Sequence, residues 1–144
     1  MNTIVKTIAV PTLLKRAGLR PTQQRLALAS LLFHGRDRHV TAEQLHGEAQ
    51  AEAIKVSLAT IYNTLHQFTE AGLLREVVVE PGRSYFDTNT TDHHHFYCDD
   101  DGHLEDIPGD RVNLISMPSP PEGMTINRVE VIIRIGPSPE RTDA

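Results

Sequence analysis

The chain has 144 residues, one cysteine and no tryptophan; 39% of it is hydrophobic and its formal net charge is −5. These figures allow one domain or two small ones around a modest core. They exclude an internal disulfide and a Cys-x-x-Cys zinc clamp, and no apolar run reaches the ~18 residues that a membrane helix needs. The opening MNTIVKTIAVPTLLKRAG has one early lysine, an apolar run broken by Pro11 and no small-residue cleavage site, so it reads as the start of a mature cytoplasmic protein. The net charge hides a division: residues 1–40 carry seven basic side chains against one acid, and residues 81–144 carry five against twelve acids. A basic end suits a polyanion and an acidic end suits cations; the plainer reading is two differently charged solvated surfaces.

In chain order, the first expected helix has Pro11 at its start, Leu13, Leu14 and Ala17 as its apolar stripe and Gly18 as its stop. Thr22 caps the second, with Leu28, Leu31 and Leu32 on one face and Gly35 at its end. Thr41-Ala42-Glu43-Gln44 matches a capping box and opens a third, whose Ala42, Leu45 and Ala49 face inward. After a turn at 53–56, Ser57 caps a fourth helix with Leu58, Ile61, Leu65 and Phe68 at helical spacing, closed by Ala71-Gly72. The outer face of this helix holds Ala59, Thr60, Tyr62, Asn63, His66 and Gln67. A merely solvated face usually carries Lys and Glu, whereas amides, hydroxyls and methyls suit base edges in a major groove. Then LLREVVVEPGRSYFDT places two strand-like runs around a Pro81-Gly82 turn. Helices followed by a hairpin predict a winged helix-turn-helix, with residues 57–71 as the recognition helix and the basic 15–25 segment on phosphates. The plainer alternative is a small α+β domain that does not bind DNA.

The second half, YFDTNTTDHHHFYCDDDGHLEDIP, reads as strand, turn, strand, acidic turn, strand. Side chains alternate along a strand, so His93 and His95 point one way and His94 the other. A His-x-His pair on one face suits a divalent metal, with Asp87, Asp92 and Asp106 as further ligand candidates; a thiolate-free His and carboxylate set fits Fe(II), Mn(II) or Zn(II). The competing reading is a polar surface strand. Asp99-Asp100-Asp101-Gly102 reads as a solvated turn rather than a calcium loop, and Cys98 as a small hydrophobe. His34, His46 and His66 have no partners at ligand spacing and read as structural, with a place near DNA as the alternative for His66. Pro118, Pro120 and Pro121 forbid a long helix. TINRVEVIIRIG alternates and predicts a last strand with Val129, Val131, Ile133 and Ile135 on its apolar face. A β-rich domain of about 55 residues is small for independent stability, and pairing with a second copy would remedy that.

Four stretches, GLRPTQQR, HVTAEQLH, VSLATIYNTLHQFTEAGLL and DTNTTDHHHFYCDDDGHLEDIP, resemble in this order the ferric uptake regulator (Fur) family. The unbroken Asp-His-His-His and the missing Cys-x-x-Cys look like its iron response regulator (Irr) branch. The resemblance covers Gly18 to Gly136. It implies an α+β fold: an N-terminal winged helix-turn-helix domain (1–83) followed by a small α/β dimerisation domain (84–144), with a hinge near 84–92. It places the regulatory metal site on His39, Asp87, His93, His95 and Asp106, with Asp at two places where the family commonly has Glu. One ion there would fix the orientation of the two domains.

Three departures stand out. Only Cys98 represents the structural zinc cysteines, so no four-cysteine zinc is expected. Arg128 stands at one ligand place of the family's second metal site. The proline-rich 108–123 segment replaces the usual long dimer helix. Asn63 stands where many members have Arg, which implies a different operator. The Irr resemblance also implies haem as an effector, with His93, His94 and His95 as contacts, since imidazole is a good axial ligand; the N-terminal Cys-Pro haem motif of some members is absent.

The expectation is a homodimeric, cytoplasmic, non-enzymatic regulator of iron homeostasis that binds double-stranded operator DNA and does not engage a membrane. Arg20 and Arg25 hold phosphate or enter the minor groove, and Ser57, Thr60, Tyr62, Asn63 and Gln67 line the reading face. The rival within the fold is a manganese-, zinc- or peroxide-sensing repressor. The rival from another class is a small metal-dependent hydrolase, which leaves the recognition helix unexplained.

Overall fold

The computed structural model describes residues 9–139. The first eight residues, with Lys6 of the basic count and most of the presumed mature start, lie outside the described residues, as do residues 140–144 with Arg141. The chain forms two compact units that divide between Thr90 and Thr91.

The first unit is helical with a small sheet. Helix α1, Val10–Arg16, has proline in its first turn and buries Leu14. Gly18 follows at φ 81°, a left-handed conformation that glycine takes without strain. In α2, Gln23–Leu32, the Thr22 hydroxyl accepts from the Arg25 N–H at 3.3 Å. The third helix, α3, Ala42–Ala51, starts with a complete capping box: Thr41 accepts from the Gln44 N–H at 3.1 Å and the Gln44 amide oxygen accepts from the Thr41 N–H at 2.8 Å. Ser57 caps α4, Leu58–Glu70, by accepting from the Thr60 N–H at 3.1 Å. The expected stripes are the ones that pack: Leu28, Leu32, Leu45, Ile61, Leu65 and Phe68 form a core from which water is excluded. Thr64 is buried with that stripe although it is polar, and Leu31 and Leu58 are only partly covered.

Strands β2, Arg75–Glu80, and β3, Arg83–Asp87, flank the Pro81-Gly82 turn as expected, and Gly82 has φ 76°. Val77 and Val79 are buried while Val78 is exposed. A third strand, β1, His39–Val40, pairs antiparallel with β3, giving the order β1-β3-β2. Two residues are too few to show a period-2 pattern, so this strand has no signature in the sequence.

The second unit is a three-stranded sheet in the order β5-β4-β6. Strands β4, His93–Cys98, and β5, His103–Pro108, form a hairpin across the acidic turn. A 3₁₀ turn, Gly109–Arg111, follows. Strand β6, Ile132–Ile135, runs parallel to β4. Here the expected strand is corrected. It begins only at Ile132, and Val129, Ile133 and Ile135 are exposed rather than turned into a core. A parallel crossover is usually a helix lying on the sheet; here residues 112–131 contain neither helix nor strand.

Candidate metal centre and nucleic-acid face

The β4–β5 register sets His95 opposite Asp106 and His93 opposite Pro108. Directly opposite residues share a sheet face, so the alternation that puts His93 and His95 on one side also brings Asp106 to them. The His93 ring is tied first: its Nδ1 lies 2.7 Å from the Thr91 carbonyl oxygen. A carbonyl only accepts, so Nδ1 carries a proton, and Nε2 is the ring nitrogen turned toward Asp106. That Nε2 is 3.6 Å from Asp106 Oδ1, and the His95 Nε2 is 3.3 Å from the same oxygen. The two rings meet edge to face with centroids 4.6 Å apart. One ligand atom from each of the three residues lies within 4.8 Å of the others. Both imidazoles are almost fully buried, while Asp106 is open to solvent. Two imidazole nitrogens and a carboxylate oxygen converging on one point fit a borderline divalent cation.

His94 faces away. Its Nδ1 accepts from the Val131 N–H at 3.0 Å, which ties the approach to β6 onto β4. The alternation therefore separates the His run into a candidate ligand pair and a member bonded to the backbone ahead of β6. Asp92 is exposed just before β4.

The two remaining ligand candidates lie in the first unit, where β1–β3 pairing sets His39 directly opposite Asp87. The His39 ring packs edge-on against Tyr85 at 6.0 Å. Asp87 is buried, and its Oδ1 accepts from the Asn89 N–H at 2.9 Å. Arg38, counted above as basic surface, is engaged: its guanidinium pairs with Glu48 and donates to the Leu31 carbonyl at 3.2 Å.

The acidic turn behaves as a turn. The His103 N–H donates to Asp101 Oδ1 at 2.9 Å, and this bond, ahead of the Cys98 contact, lowers the Asp101 pKa. Arg134 donates to Asp99 at 2.7 Å and lies over the Tyr97 ring. Cys98 is a free thiol, half-buried.

On α4, Ala59, Asn63, His66 and Gln67 are exposed, with Thr60 and Tyr62 half-buried beside them. The Tyr62 hydroxyl donates to Glu43 Oε2 at 2.9 Å, and chiefly this bond raises the tyrosine pKa. Gln67 Oε1 accepts twice from Arg25, from Nε at 3.4 Å and from Nη2 at 3.1 Å. Arg25 also donates to the Arg20 carbonyl at 3.0 Å. Ser57 donates to the Thr60 hydroxyl at 3.0 Å, so its side chain is absorbed in the cap. His66 stacks beside Tyr62 and meets Phe86 edge-on, and His46 bonds the Val56 carbonyl at 3.2 Å, as structural histidines do. Glu43, Thr91 and the Arg25–Gln67 fork escape sequence reasoning. The first and last join separate helices, and Thr91 acts through its backbone carbonyl, which no side-chain pattern reports.

The model of the ferric uptake regulator family matches residues 16–134. The peroxide-responsive repressor PerR of Staphylococcus aureus is 33% identical over 102 residues, covering 71% of this chain and 68% of the relative. The Vibrio cholerae ferric uptake regulator has a similar structure, with a TM-score of 0.69 at 25% identity over 88% of this chain and 98% of that one. The Pseudomonas aeruginosa ferric uptake regulator with manganese shares the fold, with a TM-score of 0.68 at 22% identity over 90% and 98%. The chain belongs to the ferric uptake regulator family: it is a metal-responsive, DNA-binding transcription regulator with an α+β fold, and not an enzyme.

Proposed function

We propose that this regulator is a homodimeric repressor whose grip on its operator is set by one divalent cation, Fe(II), Mn(II) or Zn(II). The carrying observation is the convergence of His93, His95 and Asp106, with the His93 ring oriented by the Thr91 carbonyl so that Nε2 faces Asp106. His39 and Asp87, which face each other in the first unit, would be the further ligands. A cation held by these side chains would supply a positive charge to them, and through them would bear on the presentation of α4. The residues themselves do the orienting: the Thr91 carbonyl holds one ring, strand pairing positions the other, and β3 carries Asp87. Arg20 contacts the DNA backbone, Arg25 stands beside it with its guanidinium bonded to Gln67 and to the Arg20 carbonyl, and Ser57, Thr60, Tyr62, Asn63 and Gln67 line the reading face. The exposed apolar side chains of the second unit, among them Ile115, Met124, Ile133 and Ile135, support pairing with a second copy.

Within this frame the peroxide-responsive reading has more support than the haem-responsive one. It rests on the similarity to the staphylococcal peroxide-responsive repressor and on the nitrogen and oxygen donor set. The Irr branch and haem control rest on the sequence resemblance alone, and His94 is occupied by Val131. Gel-shift titration of genomic fragments at stated salt, with Mn(II), Zn(II) and anaerobic Fe(II), tests the proposal. Operator affinity should change with metal in the wild type and not in His95→Ala. Peroxide sensitivity of the Fe(II) form alone selects the peroxide reading; a Soret shift with retained stoichiometric haem selects the other. Metal indifference of the wild type refutes both.

A further inference from the structure

A guanidinium has N–H donors and no acceptor. The amide atom of Gln67 that faces Arg25 is therefore its oxygen, whichever way the amide might be drawn, and both lone pairs of that oxygen are taken by Nε and Nη2. The exposed remainder of Gln67 is an NH₂ group with two donors. This matters for reading a base. A glutamine reads adenine with both of its functions side by side, accepting from N6 and donating to N7; guanine presents two acceptors, N7 and O6. A glutamine whose oxygen is spent matches guanine and meets the adenine N6 amino group with a like donor. Asn63, four residues earlier, is exposed on the same helix, and its side-chain amide keeps both functions.

We infer that Arg25 is a positioning residue for specificity: by holding the Gln67 oxygen it makes Gln67 a donor-only reader that selects guanine, and leaves Asn63 as the amide able to select adenine. The same arrangement recurs at Tyr62, whose proton is directed to Glu43, so its hydroxyl shows only an acceptor to the outside. The inference rests on α4 being the base-reading helix and adds the polarity with which it reads.

Selection from a randomised operator pool, using the full-length protein in the metal form that binds best, tests it. Wild type should show guanine at the position opposite Gln67. Arg25→Met frees the amide to turn, and adenine should rise against guanine there on the order of tenfold. Gln67→Glu keeps the Arg25 partner but removes the NH₂, and should erase the guanine preference at that same position. A merely structural link between α2 and α4 would weaken binding to all sequences alike in both variants, and that result overturns the inference. Asn63→Ala in parallel separates the two levels. If it alters the preference at another position while Arg25→Met and Gln67→Glu leave theirs unmoved, only the polarity claim fails. If none of the three changes any base preference, the assignment of α4 as reader fails with it.

Discussion

Gly109 stands one residue beyond β5, against the start of the strand that carries the ligand histidines. A Cβ placed on it would lie 2.8 Å from the Asp92 carbonyl oxygen and 3.9 Å from the His93 Cα. Ordinary contact begins near 3.4 Å, so Gly109→Ala needs a shift of about 0.6 Å between two backbone segments. Neither side can yield by a rotamer change, because the obstructing atoms are main chain. Overpacking of this kind costs ~1–3 kcal/mol, and each kcal/mol moves the melting midpoint of a small domain by roughly 4–8 °C. The shift falls on Asp92 and His93, next to the 2.7 Å bond from the His93 ring to Thr91. Loosening a bond that orients a ligand lowers metal affinity by about 10–100-fold. Thermal melting followed by circular dichroism reads the first effect, and competition with a chromophoric chelator for Mn(II) or Zn(II) reads the second. Gly136→Ala is the control, since a Cβ there meets nothing within 4 Å. If Gly109→Ala melts and binds metal like the control, the close approach does not position His93 and the reasoning is refuted.

Gly47 lies inside α3 with open space where a Cβ would go, so Gly47→Ala should stabilise the protein by ~0.5–1 kcal/mol in urea titration; destabilisation would reveal a hidden contact. The raised Tyr62 pKa means that the neutral phenol is the form the fold favours. Its contribution is present in full below the ordinary tyrosine value of 10.0 and is lost as pH climbs through the raised one. Phenolate absorbance should therefore develop later in the wild type than in Glu43→Gln, with Tyr62→Phe as the blank; coincident curves discard the Glu43 bond. Arg20→Ala should weaken DNA binding evenly across sequences and reduce the slope of log affinity against log salt by about 1, whereas an altered base preference would move Arg20 off the phosphates.

What could be read from the residues was whatever repeats at a regular spacing. The α4 stripe is periodic, and Ile61, Leu65 and Phe68 are buried. The capping box at Thr41 is local, and both of its bonds form. The His-x-His alternation is also local, and it sets His94 on the opposite face from His93 and His95 without reference to register. What could not be read was pairwise and distant. The alignment of Asp106 with His95 is a matter of hairpin register, and the forks from Arg25 and Glu43 depend on how helices cross. The last strand misled because alternation reports which residues could face a core, not whether another element is there to cover them; here Ile133 and Ile135 alternate correctly and remain exposed.

The three converging ligands His93, His95 and Asp106 all belong to a single β4–β5 hairpin joined by a short turn, while β6 reaches the same sheet only after the long irregular stretch from Val112 to Val131. Closing a short loop carries little entropic cost and is fast. As the chain folds, then, the hairpin that carries these candidate ligands can close while β6 is still unpaired. An ion offered at that stage would meet His93, His95 and Asp106 ahead of the last strand.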